Sequence, residues 1–160
     1  MNLLATVACA IALAVAAPAG FAQDAATKPA KPVFDAELAN KTGADENGMR
    51  RYVLVILKTG PTRVPDGEAR KAMFAGHMAN IRRLSKEGKL ALAGPFAGDA
   101  SGWRGLFVLA VEDIEAAKAL VATDPVIING EMVAEYHAWY GSAATMLVGE
   151  LHEKVAKKSF

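Results

Sequence analysis

The sequence predicts an α+β protein in which a four-stranded antiparallel sheet carries two helices on one face. Three observations lead there. Strand-length apolar runs lie at residues 51–58, 90–93, 105–111 and 131–140. Amphipathic helical stretches at about residues 68–87 and 114–123 fall between the first and second of these runs and between the third and fourth. The resulting order, β-α-β-β-α-β, is that of a ferredoxin-like split fold. The third observation concerns the sheet's far face. Such a sheet usually leaves one face wet, with alternating apolar and polar residues. Here Val53-Leu54-Val55-Ile56-Leu57 and Leu106-Phe107-Val108-Leu109-Ala110-Val111 are apolar on both faces. A second copy of the sheet is the expected cover, which makes the protein a homodimer through its sheet faces. Folding back of residues 34–42 or of the C-terminal helix is the alternative.

Taken in order, residues 1–22 read as a secretory signal. Residues 1–23 carry no charged side chain, and Leu3 to Ala17 is apolar apart from Thr6 and Cys9. That run falls short of the roughly 20 residues a membrane span needs. Gly20 and Ala22 supply the small residues a signal peptidase reads, although no Lys or Arg precedes the run. A periplasmic or secreted protein follows, with no membrane attachment after cleavage; an uncleaved N-terminal anchor is the alternative. Cys9 is the only cysteine, so the mature chain has no disulfide, thiol nucleophile or thiolate metal site.

Residues 23–48 form a leader, polar and proline-bearing at first, with a short helix near Asp35–Ala39. The domain proper spans residues 49–141. The segment TGPTRVPDGE is turn-rich, Gly88 stops the first long helix, and Asp113 caps the second. Asp124-Pro125 ends that second helix, because a residue before proline is pushed out of the helical region. Residues 142–160 carry a last amphipathic helix, with Ala143, Met146, Leu147, Leu151 and Val155 in its stripe. With 52% hydrophobic and 22% charged residues, 160 residues suffice for one compact domain plus these extensions. A net charge of +1 gives no electrostatic case for nucleic acid.

One residue breaks the helical pattern. Phe74, His77, Met78, Ile81 and Leu84 share a face of the first long helix, so His77 stands in a core-facing stripe. Taken alone, it is either a core histidine satisfied by a carbonyl or water, or a general acid–base. Asp124 is the second candidate. It is either an ordinary turn aspartate or a carboxylate that Pro125 aims at a partner, where it would fix a histidine's tautomer.

The remaining candidates are more loosely placed. Arg70, two turns before His77, would pair an anionic substrate or else be a solvated arginine at a helix start. Trp103 and Trp139 would line a pocket or serve packing. Gly94-Pro95 would let a ligand approach closely; it lacks the lysine–hydroxyl pair of a phosphate cradle. Glu135 and His137 share a strand face, but no pair among His77, Asp124, Glu135 and His137 has a metal-ligand spacing. Neither metal nor cofactor is expected.

These pieces together resemble the YCII-related family of the dimeric α/β barrel type. The resemblance runs from about Met49 to Trp139. It is carried by Tyr52-Val53-Leu54-Val55-Ile56-Leu57, Gly76-His77-Met78, Glu87-Gly88-Lys89-Leu90, Ala93-Gly94-Pro95-Phe96, Thr123-Asp124-Pro125 and His137-Ala138-Trp139. Gly43-Ala44-Asp45-Glu46 and Trp139-Tyr140-Gly141-Ser142 point to an exported branch. The resemblance implies a sheet-to-sheet dimer and places the family's proposed catalytic histidine and aspartate at His77 and Asp124. Family members with known activity include a dehydrochlorinase of a chlorinated hydroquinone. Two functions are therefore expected as competitors, beside a purely structural dimer in which His77 and Asp124 form a buried polar pair. One is a cofactor-independent acid–base enzyme performing an elimination or isomerisation on a small cyclic or aromatic substrate. The other is a non-catalytic periplasmic module that binds a small molecule or a partner in the same cleft.

Overall fold

The computed structural model describes residues 33–98 and 101–158. The predicted signal, residues 1–22, and the start of the leader lie outside them. Helix α1, Ala36–Thr42, opens the described fold. Asp35 caps its N-terminus by accepting from the Leu38 N–H, and Gly43 takes the left-handed conformation at its end.

The sheet has four strands, β1 (Met49–Thr59), β2 (Leu90–Pro95), β3 (Trp103–Leu109) and β4 (Met132–Ser142), in the order β2-β3-β1-β4 with every pairing antiparallel. The two long apolar runs therefore take the two central positions, where both edges are hydrogen-bonded. Pro95 closes β2, an edge strand, where a missing N–H breaks no interior ladder. Gly94-Pro95 is thus the paired end of a strand, opposite Leu106 and Gly105.

Helices α2 (Glu68–Lys86) and α3 (Ile114–Val121) supply the cover on one face. Val53, Val55 and Leu57 of β1, Phe107 and Leu109 of β3, and Met73, Leu84, Ala117 and Val121 of the helices make the main core. A four-residue helix, α4 (Pro125–Ile128), follows α3. It packs against α2 at Gly76, where a Cβ would stand 2.9 Å from Pro125 Cγ. Glycine inside a helix costs up to about 1 kcal/mol relative to alanine. Here it lets α2 and α4 meet one residue from His77.

The far face of the sheet is partly covered by the chain itself. After β4 the backbone turns through a 3₁₀ helix, Ala143–Leu147, into α5, Val148–Val155, in place of one continuous C-terminal helix. Met146 packs on Tyr52, Ala91 and Val108, which form a second, smaller apolar cluster. The fold-back alternative thus accounts for the part of that face around Tyr52, Ala91 and Val108. Leu92, Val133 and Trp139, on the same face by register, stay exposed. Among the described residues no helix is long and apolar enough to cross a membrane.

Candidate active site

Asp124 is one of the most deeply buried side chains of the described chain, with 0% of its surface exposed. Burying a carboxylate is costly unless its lone pairs are met, and this one is met by three donors. Its Oδ2 accepts from His77 Nδ1 at 2.8 Å and from Asn80 Nδ2 at 3.2 Å, while Oδ1 accepts from the Val126 N–H at 3.1 Å. The last bond gives Asp124 its local role. It is the N-cap of α4, with Pro125 in the first turn. The sequence placed it at the unfavourable end of the preceding helix, but α3 stops at Val121 and the carboxylate faces the favourable end of the next one.

The rest of the network runs along α2. Asn80 is buried one turn after His77, and its Oδ1 accepts from Arg83 Nη2 at 2.7 Å. Arg83 also donates to Thr123 Oγ1 at 3.1 Å and pairs with Glu87 at 3.0 Å. Residues 77, 80, 83 and 87 lie three or four apart, so one helix face carries the line from His77 to solvent. Asn80 is not among the sequence candidates, although its place in the stripe of His77 and Leu84 is a signal for it.

An ionised carboxylate only accepts, so Nδ1 of His77 carries the proton in this bond. That leaves Nε2 with the lone pair. The ring lies between Phe107, stacked at 6.0 Å, and Phe74, edge-on at 6.3 Å. It borders a cavity of about 410 Å³. Phe74, Met78 and Ile81 of α2 form one wall, and Ala93 to Phe96 with Arg104, Gly105 and Phe107 form the other.

The sequence candidates fall in different places. His77 and Asp124 meet, and Gly94 and Pro95 line the cavity beside His77. Arg70, Trp103 and Trp139 do not line it. Arg70 is occupied internally: Nη2 lies 2.7 Å from Glu131 Oε1, and Nη1 donates to the Val64 carbonyl at 2.8 Å. Trp103 supports the rim through Phe96, 5.3 Å between ring centres. Trp139 packs on Tyr52, on the far face of the sheet. Glu135 and His137 also lie there, hydrogen-bonded to each other at 2.9 Å. Among the described residues no group of three or more His, Cys, Asp or Glu is placed to hold a metal ion.

Glu131 and Arg104 went unremarked in the sequence. Glu131 is buried, and the Arg70 guanidinium and the Val64 N–H at 2.8 Å hold its carboxyl below the ordinary carboxylate value. Its contribution to stability is therefore complete above the unfolded value, near 4.5, and is lost as pH falls through the lower folded value. Urea unfolding between neutral pH and about pH 3 checks this. The wild type should lose stability on acidification more steeply than a Glu131→Gln variant. Equal slopes would show that Glu131 is not among the acid-sensitive groups.

Comparison with known proteins adds a family. The model of the YCII-related domain matches residues 51–139, more than half of the chain. The chain belongs to the YCII-related family. All the cavity-lining residues, His77 and Asp124 lie inside the YCII-related domain. No curated protein matches the chain. Among solved structures, one match is a 5-chloro-2-hydroxyhydroquinone dehydrochlorinase from Burkholderia phenoliruptrix AC1100, in complex with 2,5-dihydroxybenzoquinone. It is 21% identical, with a TM-score of 0.40 over 54% of this chain and 92% of that one.

Proposed function

We propose that this YCII-related protein is a cofactor-independent acid–base enzyme, exported to the periplasm or secreted, that eliminates or isomerises a small cyclic or aromatic substrate. The single observation behind this reading is the buried Asp124–His77 bond at the wall of an apolar cavity. With Nδ1 bonded to a carboxylate, Nε2 is the basic nitrogen. It would remove a proton from a substrate carbon, and Asp124 would stabilise the imidazolium that results. In an elimination the C–H electron pair forms the double bond, the leaving group departs with its own pair, and the imidazolium later yields its proton to solvent. In an isomerisation the same proton returns to a different carbon. The cavity is of a size for one ring and its substituents.

Proton abstraction can be read without knowing the final product. A panel of small cyclic carbonyl compounds and hydroxylated rings, incubated in D₂O, should contain members that exchange carbon-bound hydrogen with the wild type. They should exchange at the background rate with His77→Ala. Exchange that persists in His77→Ala would remove His77 from the mechanism. A compound that binds beside His77 and never exchanges would favour the non-catalytic binding module.

Export and self-association belong to the same proposal. The uncharged apolar N-terminus supports the first, and the exposed Leu92, Val133 and Trp139 on the far sheet face support a homodimer through that face. The N-terminal residue of the protein recovered from cells and its mass in solution test them. A retained Met1 or a single-chain mass would remove the corresponding part.

A further inference from the structure

The ladder between β1 and β3 slips by one residue. Leu57 pairs with Gly105 and the next residue, Lys58, pairs with Trp103, so Arg104 is the extra residue of a β-bulge. A bulge re-aims the side chain it carries. In a regular ladder Arg104 would share the face of Leu106 and Val108, away from the helices. It instead lines the same cavity as His77, with Nη1 3.9 Å from Glu131 Oε1.

That distance is beyond a hydrogen bond. Both oxygens of Glu131 have nearer partners, Arg70 Nη2 at 2.7 Å on Oε1 and the Val64 N–H at 2.8 Å on Oε2. The Glu131 carboxylate is thus committed before Arg104 reaches it. One third of the Arg104 side chain remains exposed. Among the residues that line the cavity, Arg104 carries the one fixed charge, and the others apart from His77 are apolar or glycine.

We infer that Arg104 is the anion-binding group of this site, and that its ligands are small ring compounds carrying one carboxylate. The planar guanidinium matches a carboxylate in two parallel hydrogen bonds, which a single ammonium charge does not reproduce. The apolar ring would lie against Phe74, Met78 and Phe107, with the carboxylate at the β3 wall and a ring carbon toward His77 Nε2. This substrate class rests on the acid–base reading, but binding at Arg104 does not depend on turnover.

Benzoate and benzamide separate charge from shape, since they share a ring and differ little in size. Titrations followed by calorimetry and by the NMR signals of Met78 and Phe107 should show benzoate binding at least about tenfold tighter than benzamide at low salt. Arg104→Gln should bring the ratio close to one, and Arg104→Lys should keep part of it. His77→Ala should retain the preference, so loss of the acid–base mechanism would leave this inference standing. Three results would each overturn it: equal affinities in the wild type, an unchanged ratio in Arg104→Gln, or no benzoate binding at millimolar concentration. The folded state of each variant is read from its thermal midpoint, and Arg104→Lys keeps the charge should Arg104→Gln be unstable.

Discussion

Asp124→Asn should leave the protein folded and lower turnover by about 10²–10⁴-fold. The amide oxygen can still accept from the Val126 N–H and so keep the cap of α4. The amide nitrogen then faces both His77 Nδ1 and the Asn80 amide, where the carboxylate had accepted. Donor meets donor at Asn80. His77 relieves the clash on its own side only by moving its proton to Nε2, the nitrogen that must be unprotonated to act as the base. Rate constants for hydrogen exchange with the wild type and with Asp124→Asn, set beside their thermal midpoints, check this. Turnover within a few-fold of wild type would show that Asp124 serves the fold and not the histidine.

Asp124→Ala should instead cost the fold itself about 3 kcal/mol. Removing an N-cap side chain costs about 1 kcal/mol. The change also strands the buried Asn80 amide, and an unsatisfied buried donor costs about 1–3 kcal/mol. For a domain of this size the sum corresponds to a fall of roughly 10 °C in the melting midpoint. Asp124→Asn keeps the cap bond and should fall by clearly less. Chemical unfolding of the two variants measures the difference, and equal losses would mean that the cap contributes little.

How much of this was legible in the residues depends on how far apart the partners lie in the chain. The strands and helices were, because apolar spacing is a local property and β1, α2, β3 and α3 each carry it in full. His77 stood out for the same reason, as a polar residue in an apolar stripe. Asp124 was visible as a candidate, but its local role was misplaced. From Asp-Pro alone, leaving one helix and starting the next look the same, and the four-residue α4 is too short to show a period. The misassignment of Arg70 has a different cause. Its helical position was right for the cavity, but Glu131, 61 positions later, draws it away. No pattern within α2 contains that information. Arg104 was harder still, since strand alternation puts it on the wrong face and only the slipped ladder turns it round. The cover of the far face was legible only in part, because Met146 reaches that face through a 3₁₀ turn that an amphipathic helix pattern does not describe.

The bulge at Arg104 makes the site sensitive to the count of residues as well as to their kind. Deleting Arg104, or Trp103 before it, would give β3 an unbroken ladder, and the strand would be locally more regular for it. It would also leave no arginine on the cavity side of that stretch. The same chemistry at the same distance along the chain would then point to the opposite side of the sheet. A change of length near residue 104 would therefore change specificity and would not be a neutral trim of the loop before it. A relative with one residue fewer there would have to take its binding charge from another strand, or accept uncharged ligands.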